Sequence, residues 1–353
     1  MPSKRKKIAI LGGDGIGPEV IREAKILLEH YRDKVGLPLD LWELDLGADR
    51  YLRDGTTFPK EIQVAIQREC AAVMLGALGD PRVPNLEHAA AILFGMRFGY
   101  DLYSNIRPVK ALADRLVPLV GRKAKDVDFV VFRENTEGLY VMMGGNFKKD
   151  TPDEVATDID LNTRKGVERI IRNAFEFARA TGRKKLVMSD KSNVLIHAHD
   201  LWQRVFKTVK AEYPEIAASH MYVDNLSLQL VRDPRQFEVI VTSNMFGDIV
   251  TDIAAGLQGG LGMAASGNIH PGKISLFEPV HGSSPPLAGK NIANPIGSIA
   301  TASLMLDHLG WKEEAARIDA AVSATVRAGE TTVDVGGTLG TRECAAAIIS
   351  RLR

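Results

Sequence analysis

The sequence predicts an α/β fold, because short apolar segments alternate along the chain with helix-like stretches. The apolar segments, each of strand length, are 7–11, 71–75, 127–132, 185–188 and 239–242. The best-defined helical stretch runs from Thr163 to Thr181. This alternation is typical of a sheet covered by helices. With 353 residues the chain is long enough for two domains, so we expect a cleft between them.

The composition excludes several classes of protein. The chain has 45 basic and 44 acidic residues, so it has no overall field to attract nucleic acid or an anionic membrane. The apolar segment behind the basic start is too short for a signal peptide, and no stretch is long enough to span a membrane. Only Cys70 and Cys344 are present, which is typical of a reducing compartment. We therefore expect a cytoplasmic protein that acts on a small molecule.

The first predicted strand leads into a glycine-rich turn at 12–17 and then into a helix that opens at Pro18 and reaches His30. Pro18 stands where a dinucleotide fingerprint would have its third glycine, and no Gly-Lys-Ser/Thr of a Walker A loop follows. A tight turn and a phosphate-binding turn both remain open.

Three arginines lie near the ends of predicted elements: Arg97, Arg107 and Arg133. Guanidinium groups bind carboxylates through paired hydrogen bonds, so three converging arginines would suit a di- or tricarboxylate. Taken separately, each arginine is more often one half of a surface salt bridge.

Tyr140 and Lys191 are candidates for moving protons. Lys191 follows a predicted strand, and a nearby metal could keep its amine neutral enough to act as a base, although a solvated lysine is the default interpretation. Asp224 follows another predicted strand and supplies a further carboxylate.

Asp248 and Asp252 are four residues apart, which places both carboxylates on one face of a helix. Mg²⁺ and Mn²⁺ prefer such oxygen ligands and leave positions open for water or substrate. The alternative is structural, with two acidic residues in the first turn of the helix, one capping it and one complementing its dipole.

The last third of the chain contains a glycine-rich segment at 256–272, expected to connect the domains, and a loop of small residues around 277–295. Such a loop can wrap closely around a flat ligand, with His281 and Asn294 available for hydrogen bonds, although its composition also fits a surface loop. From Ile292 onward we expect two more helical stretches.

Together and in this order, these motifs resemble the isocitrate/isopropylmalate dehydrogenase family, the metal-dependent β-decarboxylating dehydrogenases of 2-hydroxy acids. The resemblance implies two α/β domains around a central cleft, in a fold that is not a standard Rossmann fold. It implies a discontinuous cofactor-binding domain at 1–102 and 259–353. The segment 103–258 would then form the substrate, metal and dimerisation domain.

The resemblance also implies roles for the candidate residues. Arg97, Arg107 and Arg133 would bind the substrate carboxylates. Asp224, Asp248 and Asp252 would hold Mg²⁺ or Mn²⁺, with Asp224 also at the substrate. Lys191 would help to deprotonate the substrate hydroxyl, and Tyr140 would protonate C3 after CO₂ leaves. In this family Lys191 and Asp224 reach the site from the neighbouring subunit, which implies a homodimer with shared active sites.

By the same resemblance, the late loop binds the adenosine half of NAD. The implied cofactor residues are His281, Gly282, Ser283, Ser284, Pro286, Leu287, Gly289, Ala293, Asn294 and Asp334. Pro286 stands where NAD enzymes of the family usually have aspartate and NADP enzymes often have lysine. With no lysine there and no tyrosine at Leu287, NAD is the expected cofactor.

The helix ahead of Arg97 carries the expected specificity residues Ala90, Leu93 and Phe94 on one face, and Val194 is a further expected substrate contact. A free carboxylate facing this apolar surface would be desolvated without a partner, whereas a fully buried isopropyl group gains roughly 1.5–3 kcal/mol. Isocitrate enzymes carry serine and asparagine at Ala91 and Leu93, and homoisocitrate enzymes an arginine at Phe94. 3-Isopropylmalate is therefore the expected substrate, in leucine biosynthesis.

Asn135 and Glu137 favour a different branch, because the commonest isopropylmalate enzymes have leucine and glycine there. D-malate or tartrate is thus the alternative substrate, although those enzymes carry tryptophan at Ala90. A non-catalytic regulatory subunit, which would lose catalytic residues, and a metal-dependent diphosphate enzyme are alternatives from other classes.

Overall fold

The computed structural model describes residues 5–352, which form a ten-stranded mixed sheet, a two-stranded arm and eleven α-helices. The strands are β1 (Lys6–Leu11), β2 (Leu39–Leu44), β3 (Cys70–Leu75), β4 (Ser104–Lys110), β5 (Asp128–Glu134), β6 (Gly144–Phe147), β7 (Val155–Asp158), β8 (Lys185–Asp190), β9 (Ala217–Tyr222), β10 (Val239–Thr242), β11 (Ala265–Ile269) and β12 (Ser275–Pro279). The helices are α1 (Gly17–His30), α2 (Ala48–Asp54), α3 (Lys60–Glu69), α4 (Glu87–Gly99), α5 (Arg164–Thr181), α6 (Ala198–Lys210), α7 (Val223–Arg232), α8 (Asn244–Leu257), α9 (Ile296–His308), α10 (Lys312–Ala328) and α11 (Thr341–Ile349).

The large sheet has the order β2-β1-β3-β12-β11-β4-β5-β10-β8-β9 and consists of two parallel halves. The halves meet where β11 pairs antiparallel with both β12 and β4, and β4 pairs antiparallel with β5. The second half therefore runs opposite to the first. The β4–β11 pairing, with Asn268 opposite Asn105, is the seam between the two halves of the sheet.

Helices cover both faces of each half, as expected for parallel strands. In the first half, α1, α9, α10 and α11 bury one face, and α3 and α4 bury the other. In the second half, α5 and α6 pack on one face, while α7 and α8 pack on the opposite face. Among residues 5–352, no helix is both long and apolar enough to cross a membrane.

The glycine turn predicted after the first strand is packed against backbone on two sides. Gly13 has a φ of +77°, and a Cβ there would lie 2.3 Å from the carbonyl oxygen of Ala77. A Cβ on Gly15 would lie 2.0 Å from the carbonyl oxygen of Ser283, in the predicted cofactor loop. The turn is thus tight, and it places the start of α1 beside that loop.

All five strands and the helix at 163–181 predicted from the sequence are confirmed, with ends shifted by at most a few residues. Two expectations for the last third of the chain are wrong. The segment 256–272 is not only a connection, because it contains the buried strand β11. Three helices rather than two follow Ile292 in the described part of the chain, because a nine-residue helix, α11, forms after the glycine-rich loop at 336–340.

Candidate active site

Helix α8 carries both predicted metal-binding aspartates. The residue at which the helix begins shows whether they could instead cap it and complement its dipole. The helix begins at Asn244, so Asp248 and Asp252 lie in its second and third turns. Its first turn contains no acidic residue, and the N-cap Ser243 makes no side-chain capping bond. The interpretation of these residues as a cap and a dipole partner is therefore wrong. The confirmed helical spacing leaves both carboxylates on one face.

Asp248 is the centre of a cluster that follows the carboxyl ends of β5 and β10. The guanidinium of Arg133, which is only 2% exposed, bonds to Oδ1 of Asp248 and donates from Nε to Asn244 Oδ1 at 2.9 Å. The Tyr140 hydroxyl donates to Asp248 Oδ2 at 2.6 Å, and the Arg133 guanidinium lies 4.9 Å from the Tyr140 ring centre.

Arg107, in the middle of β4, reaches the same carboxylate. It donates from Nη2 to Asp248 Oδ1 at 3.1 Å, from Nη1 to Thr251 Oγ1, and from Nε to Asn105 Oδ1 at 2.8 Å. The structure thus brings Arg107, Arg133, Tyr140 and Asp248 together. Thr251, like Asn244, was missed by the sequence analysis, although both lie on the Asp248 face of α8 and the same helical spacing could have found them.

Arg97, near the end of α4, is buried, and its Nε has no hydrogen-bond partner. Burial, and then the nearby charge of Arg133, lower the Arg97 pKa to about 10, so the guanidinium is still charged at neutral pH. A buried, charged group without a matching carboxylate is costly. This arrangement fits a site that is completed by an anionic ligand.

The face of α4 that carries Arg97 is otherwise apolar, as the sequence predicted. Leu93 and Phe94 are half-buried there, Ala90 is exposed one turn earlier, and the Arg97 guanidinium lies 5.6 Å from the Phe94 ring centre. The opposite face, with Ile92 and Met96, is fully buried in the core. The exposed part of this face therefore offers an alkyl-binding surface next to a carboxylate-binding group.

The protonation states suit acid chemistry at Tyr140. Burial, and then the hydrogen bond to Asp248, raise the Tyr140 pKa, so its hydroxyl keeps its proton through neutral pH. Burial also acts to raise the Asp248 pKa, but Arg133, Tyr140 and Arg107 outweigh it, and the net shift is downward. Burial raises the pKa of Asp252.

Lys191 and Asp224 form a second, separate group. Lys191 Nζ lies 2.8 Å from Asp224 Oδ1, and both side chains follow the carboxyl ends of β8 and β9. Nδ1 of the buried His199 accepts the Lys191 backbone N–H at 2.8 Å and so fixes the start of this loop. Val194, in the same loop, is 64% exposed. Across residues 5–352, no three His, Cys, Asp or Glu side chains lie close enough to hold a metal, so one chain alone does not assemble the predicted aspartate set.

The side chains of Asn135 and Glu137, the two residues that favoured another branch of the family, bond directly to groups outside the arginine and aspartate cluster. Asn135 is fully buried and donates from Nδ2 to Leu102 O and Asn268 Oδ1. The Glu137 carboxylate accepts from the backbone N–H of Thr163 at 2.8 Å, at the N-cap of α5. These side-chain contacts hold parts of the fold together, so Asn135 and Glu137 are weak evidence for a different substrate.

The predicted cofactor loop lies between α1 and the last helices. His281 is buried and donates from Nδ1 to the Gly282 carbonyl at 3.0 Å, while its Nε2 has no partner. Burial lowers the His281 pKa, which keeps the ring neutral and makes Nε2 an unused acceptor. Asn294 donates to Asp334 Oδ2 at 3.0 Å, so the fold brings these two distant residues together.

The remaining residues of this loop surround that pair. Ser283 accepts the N–H of Ile16 at 2.7 Å, and Gly289 donates to Glu19 Oε2 at 3.3 Å. Leu287 ends a short 3-10 turn, Pro285–Leu287, that includes Pro286 and begins after Ser284, whose φ is +37°. Ala293 is buried and its carbonyl accepts from Thr341 Oγ1 at 2.6 Å.

The chain matches the family model described as isocitrate/isopropylmalate dehydrogenase over residues 7–348. It therefore belongs to the isocitrate/isopropylmalate dehydrogenase family, as the order of its motifs predicted.

Individual relatives agree with this assignment. The chain is 45% identical over 325 residues to the 3-isopropylmalate dehydrogenase of Thermobifida fusca, with 92% of each chain covered. It is 44% identical to the 3-isopropylmalate dehydrogenase of Streptomyces griseus, covering 96% of this chain and 99% of the relative. Among solved structures, isocitrate dehydrogenase from Methylococcus capsulatus superposes with a TM-score of 0.87 at 35% identity, covering 99% of both chains. These similarities confirm the predicted family-specific α/β fold.

Proposed function

We propose that this protein catalyses the oxidative decarboxylation of 3-isopropylmalate to 4-methyl-2-oxopentanoate and CO₂, with reduction of NAD, in leucine biosynthesis. The observation that carries the proposal is the α4 face, where an unpartnered, buried Arg97 adjoins the apolar Leu93 and Phe94. The two relatives described above carry the same activity in their names.

The chain's own residues have two roles, substrate binding and proton transfer. Arg97, Arg107 and Arg133 bind the two carboxylates of the substrate, which also compensates the mutual repulsion of these cations. Lys191 of the partner subunit accepts the proton of the C2 hydroxyl. When bound, NAD would supply the acceptor for the C2 hydride. When the C3–carboxyl bond breaks and its electrons pass into the enolate, Tyr140 gives its proton to C3.

The α8 aspartates fit a divalent cation. Both are oxygen donors on one helical face, and the Asp248 pKa is shifted downward, so it is ionised at neutral pH. We propose that Asp248, Asp252 and Asp224 of the partner subunit hold Mg²⁺ or Mn²⁺. When bound, the metal would supply Lewis-acid polarisation of the substrate C2 oxygen.

The cofactor proposal rests on a buried polar atom without a hydrogen-bond partner, Nε2 of His281. The buried, neutral Nε2 of His281 is an acceptor that matches the exocyclic amino group of adenine. We propose that the loop from His281 to Asn294, together with Asp334, binds the adenosine half of NAD. On this view residues 1–102 and 259–353 are the cofactor domain, and 103–258 are the substrate and dimerisation domain.

A homodimer with shared sites accounts for the separation of Lys191 and Asp224 from Asp248. Large apolar side chains near these residues are exposed in the single chain, including Val194, Leu228 at 53% and Ile249 at 55%. The β6–β7 arm exposes Phe147 at 66%. Several large apolar side chains exposed on the loop after β8, on α7, on α8 and on the arm are what an interaction surface would present. We propose that a second copy covers them.

Both cysteines are free and buried, and burial raises the Cys70 pKa to about 11 and the Cys344 pKa to about 12. The fold therefore needs no disulfide. This supports the further proposal that the protein works in the reducing cytoplasm.

The test is NADH formation by the purified protein with Mg²⁺, comparing 3-isopropylmalate, D-malate, tartrate and isocitrate at equal concentration. We expect kcat/KM to be highest for 3-isopropylmalate. Replacing Leu93 with asparagine should reduce that preference, because a buried amide removes alkyl contact. A wild-type preference for D-malate or tartrate would overturn the substrate while leaving the family intact.

A further inference from the structure

A row of buried polar side chains crosses the seam between the two halves of the sheet and ends on Arg107. Glu278 on β12 accepts from Asn268 Nδ2 at 2.8 Å, and Asn268 Oδ1 accepts from Asn105 Nδ2 at 3.1 Å. Asn105 Oδ1 then accepts from Arg107 Nε at 2.8 Å. Asn135 also donates to Asn268 Oδ1, at 2.8 Å. The asparagines are at most 1% exposed, so water does not compete for these bonds.

The hydrogen bonds along the row have one donor-to-acceptor order, because each asparagine amide can be oriented in only one way. The Glu278 Oε1 accepts, so Asn268 turns its NH₂ group toward it and its oxygen toward Asn105 and Asn135. Asn105 must then present its NH₂ group to Asn268 and its oxygen to Arg107. A carboxylate on the first half of the sheet thereby determines which group faces a substrate-binding arginine on the second half.

The end of the row leaves Arg107 with donors for a ligand. Of its five N–H groups, one is held by Asn105, one by Thr251 and one by Asp248. Arg107 is thus anchored on three sides in the plane of its guanidinium. The remaining two donors are in a set orientation before any substrate arrives.

We infer that Asn268 and Asn105 are positioning residues that orient Arg107 for the substrate carboxylate, with Asn135 holding Asn268 in place. This role rests on the proposed function only in that Arg107 binds the substrate. It gives the buried Asn135 a role in the network, because its Nδ2 donates to Asn268 Oδ1. The residue belongs to a buried network across the seam and not to the specificity surface.

A donor–acceptor swap tests the direction of the row. In Asn268→Asp, the new carboxylate can still accept from Asn105 and Asn135 but faces Glu278, and two carboxylates at hydrogen-bond distance repel. We expect the KM for 3-isopropylmalate to rise about tenfold, with kcat changed less, because a charge-assisted bond is misaligned. Adding Glu278→Gln supplies an amide donor to the introduced carboxylate and should return the KM to within about threefold of that of the Glu278→Gln single variant.

Ser104→Ala is the matched control. Ser104 is also buried on β4, points to the opposite face from Asn105, and donates to Asn173 Oδ1 at 2.7 Å. Its loss should lower the thermal midpoint without raising the KM, which separates positioning from stability. An unchanged KM in Asn268→Asp, or no recovery on adding Glu278→Gln, would overturn the inference.

A crystal structure of Asn268→Asp measures the position of the Arg107 guanidinium, a result that does not depend on turnover. We expect the Arg107 guanidinium to move away from Asn105. If it keeps its 2.8 Å bond, the inference is wrong for any substrate. Wild-type inactivity on 3-isopropylmalate with the Arg107 shift present in the variant would contradict the proposed function alone.

Discussion

At the scale of single residues, Asp248 joins the parts of the site, because Arg107, Arg133 and Tyr140 all bond to its carboxylate. The spacing of Asp248 and Asp252 predicted their shared helical face, and α8 confirms it. That Arg133 and Arg107 meet on Asp248 could not be derived from spacing, because the contacts join β4, β5 and α8 across more than a hundred residues. Short-range periodicity carries no information about such pairs.

Arg97 leads to a prediction in which stability and function oppose each other. Arg97→Met keeps most of the volume and removes a buried charge whose Nε has no partner. We expect the free energy of unfolding to rise by about 1 kcal/mol while the KM for 3-isopropylmalate rises strongly. Chemical denaturation and steady-state kinetics measure the two effects.

Arg169→Met is the control for Arg97→Met. The Nε of Arg169 is also buried without a partner, but its Nη1 pairs with Asp101 at 2.8 Å and its Nη2 donates to Thr136 Oγ1 at 2.7 Å. Its removal leaves those acceptors unmatched, so the unfolding free energy should fall. An Arg97→Met protein that is as destabilised as Arg169→Met would show that Arg97 is satisfied in the folded chain.

At the scale of elements, strands and helices with clear periodicity were predicted and those without it were missed. The strand β10 was predicted at its observed limits because all four of its residues, VIVT, are β-branched. The strand β11, with the sequence ASGNI, contains a glycine and two polar residues and was interpreted as part of a connection. Its place in the sheet comes from pairing with β4 and β12, a tertiary effect that outweighs local propensity.

The start of α5 gives the second prediction. The Glu137 carboxylate caps this helix through Thr163, and a Cβ on Gly166 would lie 2.3 Å from it. Gly166→Ala should therefore destabilise the wild-type protein, because the carboxylate must leave Thr163. In a Glu137→Ala background, which itself costs about 1 kcal/mol, the same change should be neutral or stabilising, since alanine favours helix.

Thermal unfolding of the four proteins in this cycle measures the coupling between Glu137 and Gly166. Substrate preference among 2-hydroxy acids should be the same in all four, because Glu137 bonds to α5. A switch of preference toward D-malate or away from it in Glu137→Ala would restore this residue as a specificity determinant.

At the scale of the whole molecule, the sequence predicted two α/β domains in a family-specific fold, and the family and fold are confirmed. The division of the active site between two subunits, by contrast, rests on the resemblance alone. The resemblance implied that Lys191 and Asp224 serve the neighbouring subunit, and in the single chain they pair with each other at 2.8 Å, while Tyr140 bonds to Asp248. Whether the two groups meet across a dimer is a question about assembly, which mixing of subunits can answer.

The prediction is that two inactive variants restore activity when their subunits are mixed. Lys191→Ala and Tyr140→Phe should each have little turnover as homodimers. If Lys191 acts in the site that contains the partner's Tyr140, a mixed dimer has one site with both native residues and one with neither. Random exchange makes about half of the dimers mixed, so activity should recover to about a quarter of the wild-type value.

Denaturing and refolding the variants together ensures exchange, and the same treatment of each variant alone is the control. If both residues instead serve the site of their own chain, every site in the mixture carries one defect, and activity stays at the level of the separate variants.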